Sequence, residues 1–157
     1  MMTKLLKYFL LSVPVYMLMS CDPSRVYDKF KDIENAKWNK NEHVKFDVQI
    51  DDTVSYNNVF INIRNSGDYR YSNIYLFIST VYPDRKISTD TVECILANEE
   101  GKWLGKGLGD IKDNQILFKK NVRFHQTGIY TFGFEQAMRT DDLKGIKSVG
   151  IRIEKIK

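Results

Sequence analysis

Val44-Lys45-Phe46-Asp47-Val48-Gln49-Ile50 sets apolar against polar residues in strict alternation. Successive side chains of an extended strand point to opposite faces, so this stretch lays one dry face on a core and turns one wet face outward. Asp51-Asp52-Thr53 ends it in turn-forming residues. The same period returns downstream. Val59, Ile61 and Ile63 alternate with Phe60, Asn62 and Arg64, up to the turn Asn65-Ser66-Gly67-Asp68. Ile74, Leu76 and Ile78 alternate with Tyr75, Phe77 and Ser79, a run apolar on both faces that predicts a central strand. Pro83-Asp84 turns the chain, Val92, Cys94 and Leu96 share the next face, and further strands fall around 116–118, 130–134 and 149–153.

About seven or eight short strands at this spacing predict an all-β fold, a single antiparallel β-sandwich, Ig-like or jelly-roll-like. At most one short helix is expected, near 136–143, and a small closed barrel is the alternative. The length of 157 residues suits one domain. With 43% hydrophobic and 28% charged residues, the chain is neither a disordered acidic segment nor a polytopic membrane protein. Aromatics at 13% with only three Pro favour strands over a helical bundle. Two Cys and two His are too few for a zinc ribbon or a disulfide scaffold.

The first twenty residues read as an address. Lys4 and Lys7 precede the apolar run 8–19, the layout of a secretory signal, too short to cross a bilayer and broken by Pro14. It ends in Leu18-Met19-Ser20-Cys21, which resembles a bacterial lipobox, where the Cys is acylated and becomes the new N-terminus. The expected organisation is a signal peptide over 1–20, a lipidated tether over 21–40 and the sandwich over 41–157. In the tether, Val26, Phe30 and Ile33 have helical spacing, which suits either a leash or a short amphipathic helix on the headgroups. Removing Lys4 and Lys7 lowers the formal net charge from +4 to +2, which argues against a nucleic-acid partner. With Cys21 acylated, Cys94 has no intramolecular disulfide partner, and as a core-facing thiol it is expected to be inert.

The ordered set of local patterns resembles the GldH-type gliding-motility lipoproteins of the Bacteroidetes. The resemblance rests on Ile63-Arg64-Asn65, the alternating Tyr69, Tyr71, Asn73, Tyr75 and Phe77, and Asp90-Thr91 with Glu93-Cys94 and Leu96-Ala97. It continues through Gly101, Trp103-Leu104-Gly105, Gly107, Gly109-Asp110-Ile111, Gly128, Tyr130, Phe132, Glu135-Gln136-Ala137-Met138-Arg139 and Val149-Gly150-Ile151-Arg152. It implies an envelope lipoprotein, held in the outer membrane by lipid on Cys21. Its expected partners are other envelope proteins of the gliding machinery or of type IX secretion. It implies no catalytic residue and no cofactor.

No motif in the chain points to a reaction. Gly105-Lys106-Gly107-Leu108-Gly109-Asp110 lacks the Gly-Lys-Ser/Thr ending and following helix of a phosphate loop. Alternating glycines strip a face of side chains, so beside Trp103 they read either as a bulge or as a ledge for a peptide or a sugar. Asp110 and Asp113 do not supply a calcium-loop spacing, and His43 and His125 lack the spacing of a zinc protease. The candidate binding surface is therefore Trp103, Gly105, Gly107 and Gly109, with Tyr71 and Tyr75 as exposed aromatics. Two functions compete on these residues: a non-catalytic assembly subunit, and a glycan-binding sandwich lipoprotein.

Overall fold

The alternation at 44–50 survives residue by residue. In the computed structural model, which describes residues 22–107 and 109–156, Val44, Phe46, Val48 and Ile50 are buried while Lys45, Asp47 and Gln49 are exposed. The described strands are β1 (Arg25–Asp32), β2 (Lys37–Asn39), β3 (Val44–Ile50), β4 (Asn57–Asn65) and β5 (Asn73–Val81). They continue with β6 (Ile87–Ile95), β7 (Lys112–Val122), β8 (Gly128–Gln136), β9 (Asp142–Lys144) and β10 (Ile146–Lys155). One four-stranded sheet runs β1-β10-β4-β7, the other β3-β8-β5-β6, and a ribbon of β2 and β9 stands apart. Every pairing is antiparallel.

The pairing order distinguishes between the two sandwich types. β1 pairs with β10, β3 with β8, β4 with β7 and β5 with β6, so the chain is one long hairpin whose arms run side by side. The pairs β10–β4 and β8–β5 then close that folded hairpin into two sheets. That is a jelly roll. Its connections gather at two ends. Residues 22–24, 51–56, 82–86, 123–127 and 155–156 form one end, where Lys155 N donates to Ser24 O and Ile156 N to Tyr56 O. Residues 33–43, 66–72, 96–107 and 137–145 form the other.

The core lies between the sheets. Phe46, Val48, Ile61, Leu76, Ile78, Leu96, Ile151 and Ile153, all expected there, are buried. β5 sits between β8 and β6, as its double apolarity suggested, but its second face meets solvent: Tyr75 is 39% and Phe77 45% exposed.

One expectation is corrected. The segment expected as a tether over 21–40 belongs to the domain from about residue 25. The helical spacing of Val26, Phe30 and Ile33 gives way because β10 offers an open edge of unpaired backbone groups, and β1 satisfies it. Tyr27, Lys29 and Lys31 then stand opposite Ile153, Ile151 and Val149 on the core side. The two ammonium groups lie over the rings of Tyr27 and Phe46, at 5.5 and 5.7 Å. Lysines pointing inward on an edge strand keep other chains from adding to it. Trp38, in the same segment, is fully buried, with Nε1 donating to Glu42 O at 3.0 Å. Residues 137–141, within the stretch where at most one short helix is expected, form bends rather than a helical turn. β8 runs through Gln136, whose Nε2 donates to Thr140 O at 2.8 Å and holds the bend leading into β9.

Leu76→Ala should cost about 2–5 kcal/mol and Trp38→Ala about 3–5 kcal/mol. Thermal melting should therefore place both far below Lys45→Ala. A Trp38 variant that melts like Lys45→Ala would return residues 21–40 to the status of a tether.

Candidate functional site

The residues singled out in the sequence are distributed by the fold between two places. Ala97 and Trp103 pair across a tight turn in which Asn98 Oδ1 accepts from the backbone of Glu100 and Lys102 at 3.1 and 2.8 Å. Lys106 and Asp113 exchange backbone hydrogen bonds at 2.9 and 2.7 Å, which ties the segment back onto β7. Trp103 is half-buried against the core cluster, its ring centroid 6.4 Å from that of Tyr69, and Tyr69 meets Tyr71 edge-on at 5.7 Å. Burial pushes the Tyr69 phenol above its usual range, and its hydroxyl donates to Asn73 O at 2.7 Å. Tyr71 is 43% exposed at this end, whereas Tyr75 stands apart on the outer face of the second sheet.

Gly105 and Gly107 are required for packing. A Cβ on Gly105 would lie 2.7 Å from Asn114 Oδ1, and Asn114 is buried with Nδ2 donating to Ile63 O and Asn65 Oδ1. Gly107 has φ +147°, and a Cβ there would come within 2.4 Å of the Ile111 carbonyl oxygen. Gly109, at φ +77°, faces open space. Gly105 and Gly107 therefore let the 96–107 segment hug this chain's own Asn114 side chain and Ile111 carbonyl.

That segment also walls a groove the sequence did not reveal. On the outer face of the first sheet a hollow of about 760 Å³ is bounded by Leu104, Gly105 and Lys106 and floored by Phe60, Asn62 and Gln115. Arg64 stacks 3.8 Å above the Phe30 ring and pairs with Asp113 at 3.1 Å, while Arg152 pairs with Asp28 at 2.7 Å. No motif marks these residues. They come from four strands and share only the outward half of the two-residue period.

Cys94, Asp110, Asp113 and His43 are each buried or engaged by a neighbour. Burial pushes the Cys94 thiol up to about 12, so the sulfur stays protonated at neutral pH. Asp113 is engaged by Arg64 and Asp110 Oδ1 accepts from Gly67 N at 2.9 Å, so the two carboxylates do not form a joint site. His43 Nδ1 lies 2.7 Å from Glu135 Oε1 on the outer face of the second sheet. Among the described residues no three His, Cys, Asp or Glu side chains converge to hold a metal. Cys21, the expected lipid site, lies outside the described residues.

Residues 25–153, almost the whole described sandwich, match the family model described as GldH lipoprotein. The chain belongs to the GldH lipoprotein family. It is 38% identical over 154 residues to a gliding motility lipoprotein GldH homolog of Christiangramia forsetii, covering 94% of each chain. It is 34% identical over 152 residues to gliding motility lipoprotein GldH of Flavobacterium johnsoniae, covering 92% of this chain and 94% of that one. Membership of this lipoprotein family agrees with envelope association through lipid and links the chain to gliding motility. It also joins the jelly roll to the GldH model, since the match spans β1 through most of β10.

Two measurements check the site as built. Gly107→Ala should melt well below wild type, by about 1–3 kcal/mol of lost stability, and below Gly101→Ala, whose Cβ meets nothing. Iodoacetamide at pH 8 should leave Cys94 unlabelled in the native protein and label it fully in denaturant. Rapid native labelling would mean that the thiol is exposed.

Proposed function

We propose that this protein is a non-catalytic, lipid-anchored accessory of the outer membrane, supporting gliding or type IX secretion machinery by binding other envelope proteins. The supporting observation is the separation of the two ends. The described chain enters the sandwich at Asp22, beside Ser24 and Lys155 at one end, and Trp103 and Tyr71 stand at the other. A lipid on Cys21 would hold the first end at the bilayer and present the second to partners. The candidate surface there is Tyr71 and the free edge of Trp103, braced by Gly105, Gly107 and Gly109, with the exposed Tyr75 and Phe77 on the adjoining sheet face. Aromatic anchors of this kind carry most of the energy of protein interfaces.

A second reading, a glycan-binding module, draws on the groove of the first sheet. Phe60 offers a ring there, since Arg64 already covers that of Phe30, and Asn62, Arg64 and Gln115 offer planar hydrogen-bonding groups. Phe60→Ala with a glycan array tests it: retention lost in the variant favours sugar, and no retention by wild type removes this reading.

The first reading is tested in two steps. Cys21→Ser should leave unprocessed precursor or a mislocalised product, while wild type partitions into detergent. A Ser variant that is processed and fractionates like wild type removes the anchor. In pull-downs from solubilised envelope, Trp103→Ala should weaken partner retention by about 2 kcal/mol or more. Tyr71→Ala, which spares the core contact of Trp103, should weaken retention without lowering the melting temperature. Undiminished retention in both variants moves the partner site away from this end.

A further inference from the structure

At the membrane-entry end the two sheets part around a recess of about 430 Å³ that none of the preceding functions uses. Its walls are aromatic. Tyr130 meets Phe124 edge-on at 4.9 Å and Tyr82 at 5.7 Å, and Val59 and Phe132 close the inner side. The volume falls within the range of small-molecule sites, roughly 300–1,000 Å³, and the apolar walls with few polar groups fit the same class.

Two kinds of polar group break the apolar lining. Thr80 projects from the inner side of β5 into the recess and is only 5% exposed, yet its hydroxyl has no hydrogen-bond partner among the described residues. A buried hydroxyl without a partner is unfavourable, and a polar atom entering the recess would relieve that cost. The rim is basic. Lys86 is held by Asp84 at 2.9 Å, and Lys119, turned inward opposite Val59 by the irregular β4–β7 register, is held by Asp90 at 2.8 Å. Arg123 and His125 are exposed at the same rim, and among the described residues neither is ion-paired.

We propose that this recess binds a compact aromatic carboxylate. Its ring sits against Tyr82, Phe124 and Tyr130, a hydrogen-bonding substituent reaches Thr80, and its carboxylate faces Arg123. Each part of the ligand answers one feature of the recess. The ring continues the edge-to-face aromatic array. The substituent satisfies the one buried side-chain polar atom of the recess that lacks a partner among the described residues. The carboxylate meets a guanidinium suited to planar, two-point recognition of that group. A long acyl chain fits less well, because the recess stops at Val59, Thr80 and Phe132, where the packed core begins. The chemistry has two sources, a free aromatic acid or the C-terminal residue of a polypeptide.

The test uses the full lipidated chain in detergent and titrates four probes by calorimetry, with empty micelles as background. The probes are 3-(4-hydroxyphenyl)propionate, 3-phenylpropionate, and a short peptide ending in tyrosine with its carboxylate free or amidated. The hydroxylated acid should bind wild type about fivefold more tightly than the plain acid, the worth of one ordinary hydrogen bond. Thr80→Val, of nearly equal volume, should abolish that difference while leaving the melting temperature close to wild type. Arg123→Ala should weaken both acids about tenfold. Binding of the free-carboxylate peptide but not its amide assigns the site to chain termini, and binding of the acids alone assigns it to small molecules. Binding no stronger than to micelles, a hydroxyl preference that survives Thr80→Val, or acid binding that survives Arg123→Ala overturns the proposal.

Discussion

The whole architecture depends on β10 lying between β1 and β4. Among the described residues Ile146–Lys155 is the last strand, and Arg25–Asp32 is the first. Pairing them closes the long hairpin on itself, and pairing β10 with β4 joins the two arms into a sheet. Three buried aliphatics of β10, Val149, Ile151 and Ile153, supply the dry side of that sheet. Without β1, β10 would be an open edge whose inward neighbours were exposed to water. Without β10, β1 would have nothing to pair with. The same closure brings residues 22–24 and 155–156 together at one end and sends the 96–107 segment to the other. The directionality proposed for function is thus a consequence of strand pairing.

Around that frame, several polar groups at the two ends are tied down. At the entry end, Lys155 Nζ donates to Asp52 Oδ2 at 2.6 Å and Ser55 adds further hydrogen bonds, so the Asp52 carboxyl is held well below the usual carboxylate range. Asp22 and Asp28 both grip Arg152, which fastens the incoming chain to the outer face of β10. At the far end, buried Asn114 bonds the Ile63 carbonyl and the Asn65 side chain, and Gly105 leaves room for it. The glycine strip and the asparagine form one device: the side chain fills the space a Cβ would have occupied.

Period two made most of the sandwich legible, because β3, β4, β5, β8 and β10 each keep a continuous dry face. β1 escaped because Lys29 and Lys31 occupy core-facing positions, so its dry face reads as charged and a helical spacing of three apolar residues stands out instead. β2 and β9, three residues each, are too short to show any period. At the candidate surface, the alternation of Gly105, Gly107 and Gly109 was visible, but its use was not. Whether a bare strip faces a partner or its own chain depends on where Asn114 and Ile111 fall. The recess was beyond reach from sequence for a plainer reason. Thr80 is far in the chain from Lys119 and Arg123, and Lys119 points inward where the β4–β7 register shifts beside it.

The early start of β1 changes what a lipid on Cys21 would do mechanically. Four residue steps separate Cys21 from Arg25, at most about 14 Å when extended. Two of the intervening residues are already committed, since Ser24 bonds Asp22 and Asp22 bonds Arg152. A leash of nineteen free residues would let the domain tumble and search a wide shell above the membrane. With a lipid on Cys21, a chain fixed this close to its sheet would keep the entry end near the headgroups and make the domain a short, stiff post. Exposed Val54, Tyr56 and Ile156 at that end would then meet the interface rather than open water. A post fixes the height and limits the tilt of its far end, which favours partners that are themselves assembled at a set distance from the bilayer. It disfavours capture of freely diffusing ligands by the far surface. That difference, set by residues 22–32, weighs toward assembly and away from glycan capture as the work of the Trp103 end.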